Sequence, residues 1–142
     1  MDITALKIRD ARKLLDEHKI SSPELTKAYL DRISKLDGDV KSYITVTPDA
    51  AMQAAEKAQA KIDRGEGSAL CGIPLAIKDN ICTEGIKTTA ASKMLENFVP
   101  PYNATVMEKL NADDIVMLGK TSMDEFAMGG STQTSAFAKT VN

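Results

Sequence analysis

One apolar stretch decides the fold that we predict. It covers residues 70–77, Leu70-Cys71-Gly72-Ile73-Pro74-Leu75-Ala76-Ile77, and gives way to the polar residues Lys78-Asp79-Asn80. A continuous apolar run that is bounded by turn-forming residues is typical of a strand buried on both faces. We therefore expect a core strand here, closed by Lys78.

Beyond this strand, the sequence alternates between helical and strand patterns. Residues 103–110 present apolar side chains at helical spacing, and residues 114–119 form a second apolar run. Residues 121–126 predict another helix start, because Ser122 and Glu125 have the spacing of a capping box. The order strand, helix, strand, helix predicts an α/β architecture.

The first part of the chain predicts a helical layer. Apolar residues at helical spacing, or a run of alanines, predict three helices, over residues 4–18, 22–38 and 48–62. Residues 43–47 are rich in β-branched side chains and predict a short strand. We place a boundary at the glycine-containing joint 65–67. It separates a helical N-terminal layer (residues 1–64) from the beginning of the core (residues 65–142).

The second helix has two ways to begin. Ser22 can cap it with Pro23 at the first helical position, or Ser21 can form a capping box with Glu24. Gly38 is expected to end this helix, since glycine readily adopts the left-handed conformation of a helix end.

Composition excludes several classes of protein. The chain has 142 residues, a formal net charge of −2 and a pI of about 5.4, so it lacks the basic character of a free-standing nucleic-acid binder. No apolar run approaches the roughly 20 residues of a membrane span, and residues 1–4 do not resemble a signal peptide. We expect a cytoplasmic protein with Cys71 and Cys82 as free thiols. The single histidine, His18, does not suffice for a typical zinc site.

Lys78 is the leading candidate for chemistry. It closes a run of eight uncharged residues, which places its ammonium at the edge of a low-dielectric core. Desolvation lowers the pKa of a lysine and can make it a general base. The alternative is structural: Lys78 emerges from the strand and pairs with Asp79 or another carboxylate.

Two stretches of small residues are further candidates for a binding site. Gly129-Gly130-Ser131-Thr132 could let a substrate approach the backbone closely, and residues 88–92 are similarly small. Each could equally be an ordinary turn. The sequence contains neither of the glycine-rich phosphate-binding motifs.

Together these stretches resemble the amidase signature family. The resemblance is carried, in the family's order, by residues 72–80, 88–92, 104–106 and 123–132. Within the family, these motifs and residues 93–100 and 106–110 are most similar to the amide-hydrolysing subunits of tRNA-dependent amidotransferases. The implied fold is α/β, a mixed central sheet covered by helices.

The resemblance implies a chemistry as well. The family hydrolyses amides with a Ser–Ser–Lys triad, and by position Lys78 is the triad lysine. It would accept a proton from the nucleophilic serine through the bridging serine. The glutamine substrate would contact Met128, Gly129, Gly130 and Ser131, and no metal would take part.

Partners and cofactors are implied in the same way. Released ammonia would pass to a tRNA-binding subunit, which would use ATP and Mg²⁺ to amidate the misacylated tRNA. A small linker subunit would complete a heterotrimer. The chain itself would hold no cofactor, and tRNA would be bound only through the partner.

The chain departs from the family pattern in one respect. It has no Gly/Ser-rich stretch that matches the motif of the two triad serines. We therefore expect a truncated subunit, inactive alone, that comprises the helical layer and the first strands of the core. A fragment of a small-molecule amidase of the same family and a non-catalytic partner-binding module remain as alternatives.

Overall fold

The computed structural model describes residues 2–141. Its helices and strands follow the predicted order as far as the third strand: α1 (Ile8–Asp16), α2 (Ser22–Val40), β1 (Tyr43–Val46), α3 (Pro48–Asp63), β2 (Pro74–Lys78), α4 (Thr105–Ala112) and β3 (Val116–Thr121). Short 3₁₀ turns lie at Ile3–Ala5, Lys93–Leu95 and Glu125–Ala127. The α/β prediction is confirmed.

The three strands form one mixed sheet in the order β1-β3-β2. β1 runs antiparallel to β3, with Thr45 opposite Lys120 and Val46 opposite Gly119. Two backbone hydrogen bonds show how β2 and β3 are oriented: Val116 N donates to Ile73 O, and Asp79 N donates to Thr121 O. From the first bond to the second, the residue numbers increase along both strands. This pattern is that of parallel strands.

The strand that ends at Lys78 was predicted to be buried on both faces, and this prediction is wrong for most of its residues. Only Ile77 of β2 is buried, whereas four of the six residues of β3 are buried. The reason is the strand order, because β3 lies between the other two strands and β2 has β3 on one side only. The strand also begins later than predicted, at Pro74, after a turn over residues 69–72.

The start of α2 distinguishes the two predicted caps. Ser21 and Glu24 form the capping box: the Ser21 N–H donates to Glu24 Oε2 (2.8 Å) and the Glu24 N–H to Ser21 Oγ (3.2 Å). The Ser22 hydroxyl instead donates to the Gly72 carbonyl (2.9 Å). The prediction that Gly38 ends the helix is wrong, since α2 continues to Val40 and Lys41 takes the left-handed conformation.

The described chain divides into two compact units that interleave along the sequence. The first comprises residues 1–33, 47–75 and 109–118, and the second comprises residues 34–46, 76–108 and 119–142. The boundary that we placed at residues 65–67 stays a prediction.

The first unit is held by an apolar cluster from α1, α2, α3 and the turn before β2. Its buried members are Ala11, Leu15, Ile20, Leu25, Ala58, Ile62, Cys71 and Ile73. Burial also raises the pKa of the Cys71 thiol.

The interior of the second unit is more polar, with Asp79, Thr83, Thr88, Thr89, Ser92, Lys120 and Asp124 all buried.

Candidate functional site

A pocket in the second unit contains most of the predicted site residues. It has a volume of about 250 Å³ and is lined by Lys78, Ser122, Met123, Asp124, Ala127, Gly129, Gly130, Ser131 and Thr132. Lys78 enters from the carboxyl end of β2, and the other residues come from the segment that follows β3. The fold therefore brings the candidate lysine and the glycine loop together.

Lys78 is exposed, in contrast to the buried edge position that the sequence suggested. Within residues 2–141, its ammonium has no hydrogen-bond or ion-pair partner. Asp79, the alternative partner, contacts Lys120 instead. Lys78 is thus available to a group that enters the pocket.

Asp79 fixes the backbone next to Lys78. Its side chain is fully buried, and Oδ2 accepts hydrogen bonds from the Thr89 N–H (3.0 Å) and the Thr89 hydroxyl (2.5 Å). The Asp79 carbonyl also accepts from the Ala90 N–H (2.9 Å). The turn after β2 is consequently tied to the small-residue stretch 88–92, which thereby holds the backbone next to Lys78.

Lys120 is one of two charged residues of this region, with Asp124, whose roles sequence reasoning missed. Its side chain is fully buried, and Nζ donates to Ile81 O (2.6 Å) and Thr88 Oγ1 (2.8 Å). Burial lowers the pKa of Lys120, and the nearby Asp79 carboxylate opposes this effect. The sequence does contain a sign of this role, because Lys120 continues the apolar strand pattern of residues 114–119. A lysine that is buried in such a strand needs oxygen partners for its ammonium.

Asp124 organises the loop that lines the pocket together with Lys78. Its carboxylate accepts hydrogen bonds from the N–H groups of Ser131 (2.8 Å), Thr132 (2.8 Å) and Thr134 (3.0 Å), and from the Thr134 hydroxyl (2.9 Å). The converging donors, foremost the Thr134 N–H, lower the pKa of Asp124 to about 2. The carboxylate is therefore ionised at neutral pH.

The helix predicted at residues 121–126 is wrong. Only a 3₁₀ turn forms, at Glu125–Ala127, and Phe126 and Ala127 have φ angles of 50° and 61°. The predicted capping box is absent: Ser122 Oγ donates to Ala138 O (3.3 Å), and Glu125 Oε1 accepts from Ser92 Oγ (2.5 Å). The segment forms a loop because its donors bond to side chains and carbonyls outside a helix.

Met128 is the predicted site residue that the pocket does not include. Its side chain is 80% exposed, and it is absent from the pocket lining. Gly129, Gly130 and Ser131 are all in the lining.

Neither a metal cluster nor a membrane-spanning helix is present in the described part of the chain. Within residues 2–141, no three His, Cys, Asp or Glu side chains are grouped so that they could hold a metal ion. Over the same residues, no helix combines the length and apolar character that crossing a membrane requires.

Comparison with known proteins identifies the family. A sequence model of the family described as Amidase matches residues 24–142. The chain belongs to the amidase family. The resemblance of its motifs is therefore confirmed, and Lys78 and the 129–132 loop lie inside the matched region.

This amidase-family chain corresponds to the N-terminal part of its relatives. It is 64% identical over all 142 residues to a Ruminiclostridium cellulolyticum protein named as the A subunit of glutamyl-tRNA(Gln) amidotransferase, of which it covers 29%. A protein of the same name from Dehalococcoides mccartyi is 55% identical over 141 residues, again with 29% covered.

Solved structures confirm the amidase fold. The structure of the glutamyl-tRNA(Gln) amidotransferase A subunit from Thermotoga maritima matches with a TM-score of 0.76 and 36% identity, over 100% of this chain and 28% of that one. Native peptide amidase from Stenotrophomonas maltophilia matches with a TM-score of 0.82 and 31% identity, over 91% of this chain and 27% of that one. The chain thus spans less than a third of the length of each relative.

Proposed function

We propose that this chain is the N-terminal part of the glutamine-hydrolysing A subunit of a tRNA-dependent amidotransferase, with Lys78 as its catalytic lysine. The observation that carries the proposal is the shared pocket of Lys78 and the 129–131 loop. The relatives named as A subunits of glutamyl-tRNA(Gln) amidotransferase, which match over the whole chain, support the choice of substrate.

The chemistry follows from what each group in the pocket offers. Lys78 provides an unpaired amine at the end of β2, which can take part in proton transfer once serines stand beside it. The N–H groups of Gly129 and Gly130 have no hydrogen-bond partner within residues 2–141, so they can donate to a substrate oxygen. Donors aimed at a developing oxyanion are a major source of catalysis in acyl transfer.

The chain needs the rest of its subunit for this reaction. The Ser–Ser–Lys triad that the resemblance implies requires two serines, and no stretch of this sequence matches their motif. We therefore propose that the chain is inactive alone. ATP, Mg²⁺ and tRNA belong in this proposal to a tRNA-binding partner subunit in the cytoplasm, which receives the ammonia.

A chimera tests the proposal. Residues 1–142 of this chain replace the matching segment of the Ruminiclostridium cellulolyticum relative, and ammonia release from glutamine is measured. We expect activity in the chimera, and a loss of roughly 10³-fold or more in kcat on Lys78→Ala, because the components of a catalytic triad act as a unit. Lys57→Ala is the matched control, since Lys57 is also exposed but lies on α3.

The outcomes separate the candidate functions. Hydrolysis of glutamine that depends on Lys78 supports the proposal. Full activity of the Lys78→Ala chimera would overturn the catalytic assignment.

The likeness to peptide amidase favours a second candidate, an amidase for small amides. This candidate predicts that the chimera hydrolyses an amidated peptide in preference to glutamine.

A further inference from the structure

The loop that follows β3 is shaped around one carboxylate. Both oxygens of Asp124 are used: Oδ2 accepts the N–H groups of Ser131 and Thr132, and Oδ1 accepts the N–H and hydroxyl of Thr134. The Thr134 hydroxyl also accepts from the Glu125 N–H (3.0 Å), so the segment is closed on itself. Asp124 is buried, although the loop around it is largely exposed.

These contacts divide the loop amides into two groups. The N–H groups of residues 131, 132 and 134 bond to Asp124. The N–H groups of Gly129 and Gly130 have no partner among residues 2–141, and both residues line the pocket with Lys78. The carboxylate thus holds the loop, while the N–H groups of two residues that line the pocket stay without a partner among residues 2–141.

The position of Asp124 also explains why residue 129 is a glycine. A Cβ at Gly129 would lie 2.4 Å from Asp124 Cγ and 2.7 Å from each carboxylate oxygen. At the neighbouring Gly130, a Cβ would meet no heavy atom of residues 2–141 within 4 Å other than those of its chain neighbours. The backbone at residue 129 can therefore pass the carboxylate only without a side chain, whereas residue 130 has open space.

From this geometry we propose that Asp124 is a positioning residue, which holds the 129–134 loop so that the Gly129 and Gly130 N–H groups can bind an acceptor oxygen of the amide substrate. The inference rests on the proposed function. Asp124 acts through the loop and not on the reacting atoms. An ionised carboxylate suits this position because it only accepts hydrogen bonds, and four donors converge on it.

The test uses the active chimera with Asp124→Asn, compared with Asp39→Asn, an exposed aspartate on α2. The amide nitrogen of asparagine cannot accept, so it would face donors that the carboxylate had satisfied. We expect the KM for glutamine to rise about 10-fold or more, because the 129–134 loop would no longer be held in place to bind the substrate. A variant that is merely less well folded loses active protein, which lowers the apparent kcat and leaves KM unchanged.

A second readout does not depend on activity. Hydrogen exchange is followed by mass spectrometry in peptides that cover residues 128–135, with a peptide from α3 as the folding control. We expect faster exchange in the loop on Asp124→Asn and on Gly129→Ala, and unchanged exchange on Gly130→Ala. Comparison of the two glycine variants isolates the contact with Asp124.

The results distinguish this inference from the proposed function. Wild-type KM and unchanged loop exchange in Asp124→Asn would overturn the positioning role, even in a chimera whose activity depends on Lys78. Faster loop exchange with an unchanged KM would also overturn it, because the loop would then be ordered without serving the substrate. A chimera without activity toward glutamine would contradict the proposed function, whatever the exchange data show.

Discussion

Lys120 and Asp79 form an ion pair that is completely buried, with 3.8 Å between Lys120 Nζ and Asp79 Oδ1. The ammonium makes shorter contacts with neutral oxygens of Ile81 and Thr88. Asp79 Oδ1 accepts no hydrogen bond from residues 2–141, and the Lys120 ammonium is the charge that faces it. Asp79 directly follows Lys78, the last residue of β2, so the pair is joined to the strand end that carries Lys78.

Removal of the lysine alone is expected to destabilise the protein strongly. Lys120→Met in the chimera removes the donor of the buried Ile81 carbonyl and Thr88 hydroxyl as well as the charge that faces Asp79, which costs about 3 kcal/mol or more. The double variant Lys120→Met with Asp79→Asn removes both charges and is expected to recover part of this loss. Urea denaturation measures the free energies of unfolding. Strictly additive effects of the two substitutions would show that the charges do not interact.

The lowered pKa of Lys120 leads us to expect that the free energy of unfolding changes with pH in the alkaline range. Burial lowers its pKa in the folded chain below the ordinary value of 10.5. Between the lowered pKa and 10.5, the unfolded chain binds more protons at this site, so the contribution of Lys120 to stability rises with pH. We expect this slope in the chimera, and its absence in Lys120→Met, when unfolding is measured from pH 7 to pH 10.5. Parallel curves for the two proteins would contradict the prediction.

Much of the fold could be predicted because the hydrophobic pattern is regular. The alternation of helices and strands is read from periodicity, and the capping box of Ser21 and Glu24 is a local signal. Gly38 misled the prediction because a glycine inside a helix costs only about 1 kcal/mol relative to alanine, which the rest of α2 can offset. Propensity at one residue does not determine where a helix ends.

The site could be predicted in part. Motif resemblance indicated Lys78 and the 129–131 loop, and the structure places both in one pocket. The roles of Lys120 and Asp124 were missed because their partners are distant in sequence or are backbone groups of a loop. Ser122 and Glu125 have the spacing of a cap, but contacts with Ala138 and Ser92 replace it. Such contacts depend on tertiary structure.

Two glycines of this chain provide opposite stability predictions. Gly72 has a φ angle of +75°, and a Cβ there would lie 2.9 Å from Ser22 Cβ. Gly72→Ala is therefore expected to destabilise the chimera by about 1–3 kcal/mol, through backbone strain and overlap. Gly38 lies within α2, and apart from the nearby backbone of that helix a Cβ there would meet no heavy atom of residues 2–141 within 4 Å, so Gly38→Ala is expected to stabilise by about 0.5–1 kcal/mol. Urea denaturation measures both, and effects of the same sign would contradict the prediction.

The lowered pKa of Asp124 leads us to expect that the free energy of unfolding depends on pH in the acid range. Its pKa in the folded chain is about 2, below the ordinary 3.8, because the loop donors favour the carboxylate. As pH falls, the unfolded chain takes up this proton first. The stability that Asp124 contributes is therefore complete above pH 3.8 and is lost as the pH falls toward 2.

The comparison of wild-type chimera and Asp124→Asn isolates this contribution from the other carboxylates. We expect the difference in free energy of unfolding between the two proteins to be constant from pH 7 to about pH 5, and to shrink as the pH falls through 3.8 toward 2. Asp39→Asn serves as the control, since Asp39 is exposed and has no hydrogen-bond or ion-pair partner within residues 2–141. A difference that stays constant down to pH 2 would mean that the loop amides do not hold the Asp124 carboxylate in its ionised form.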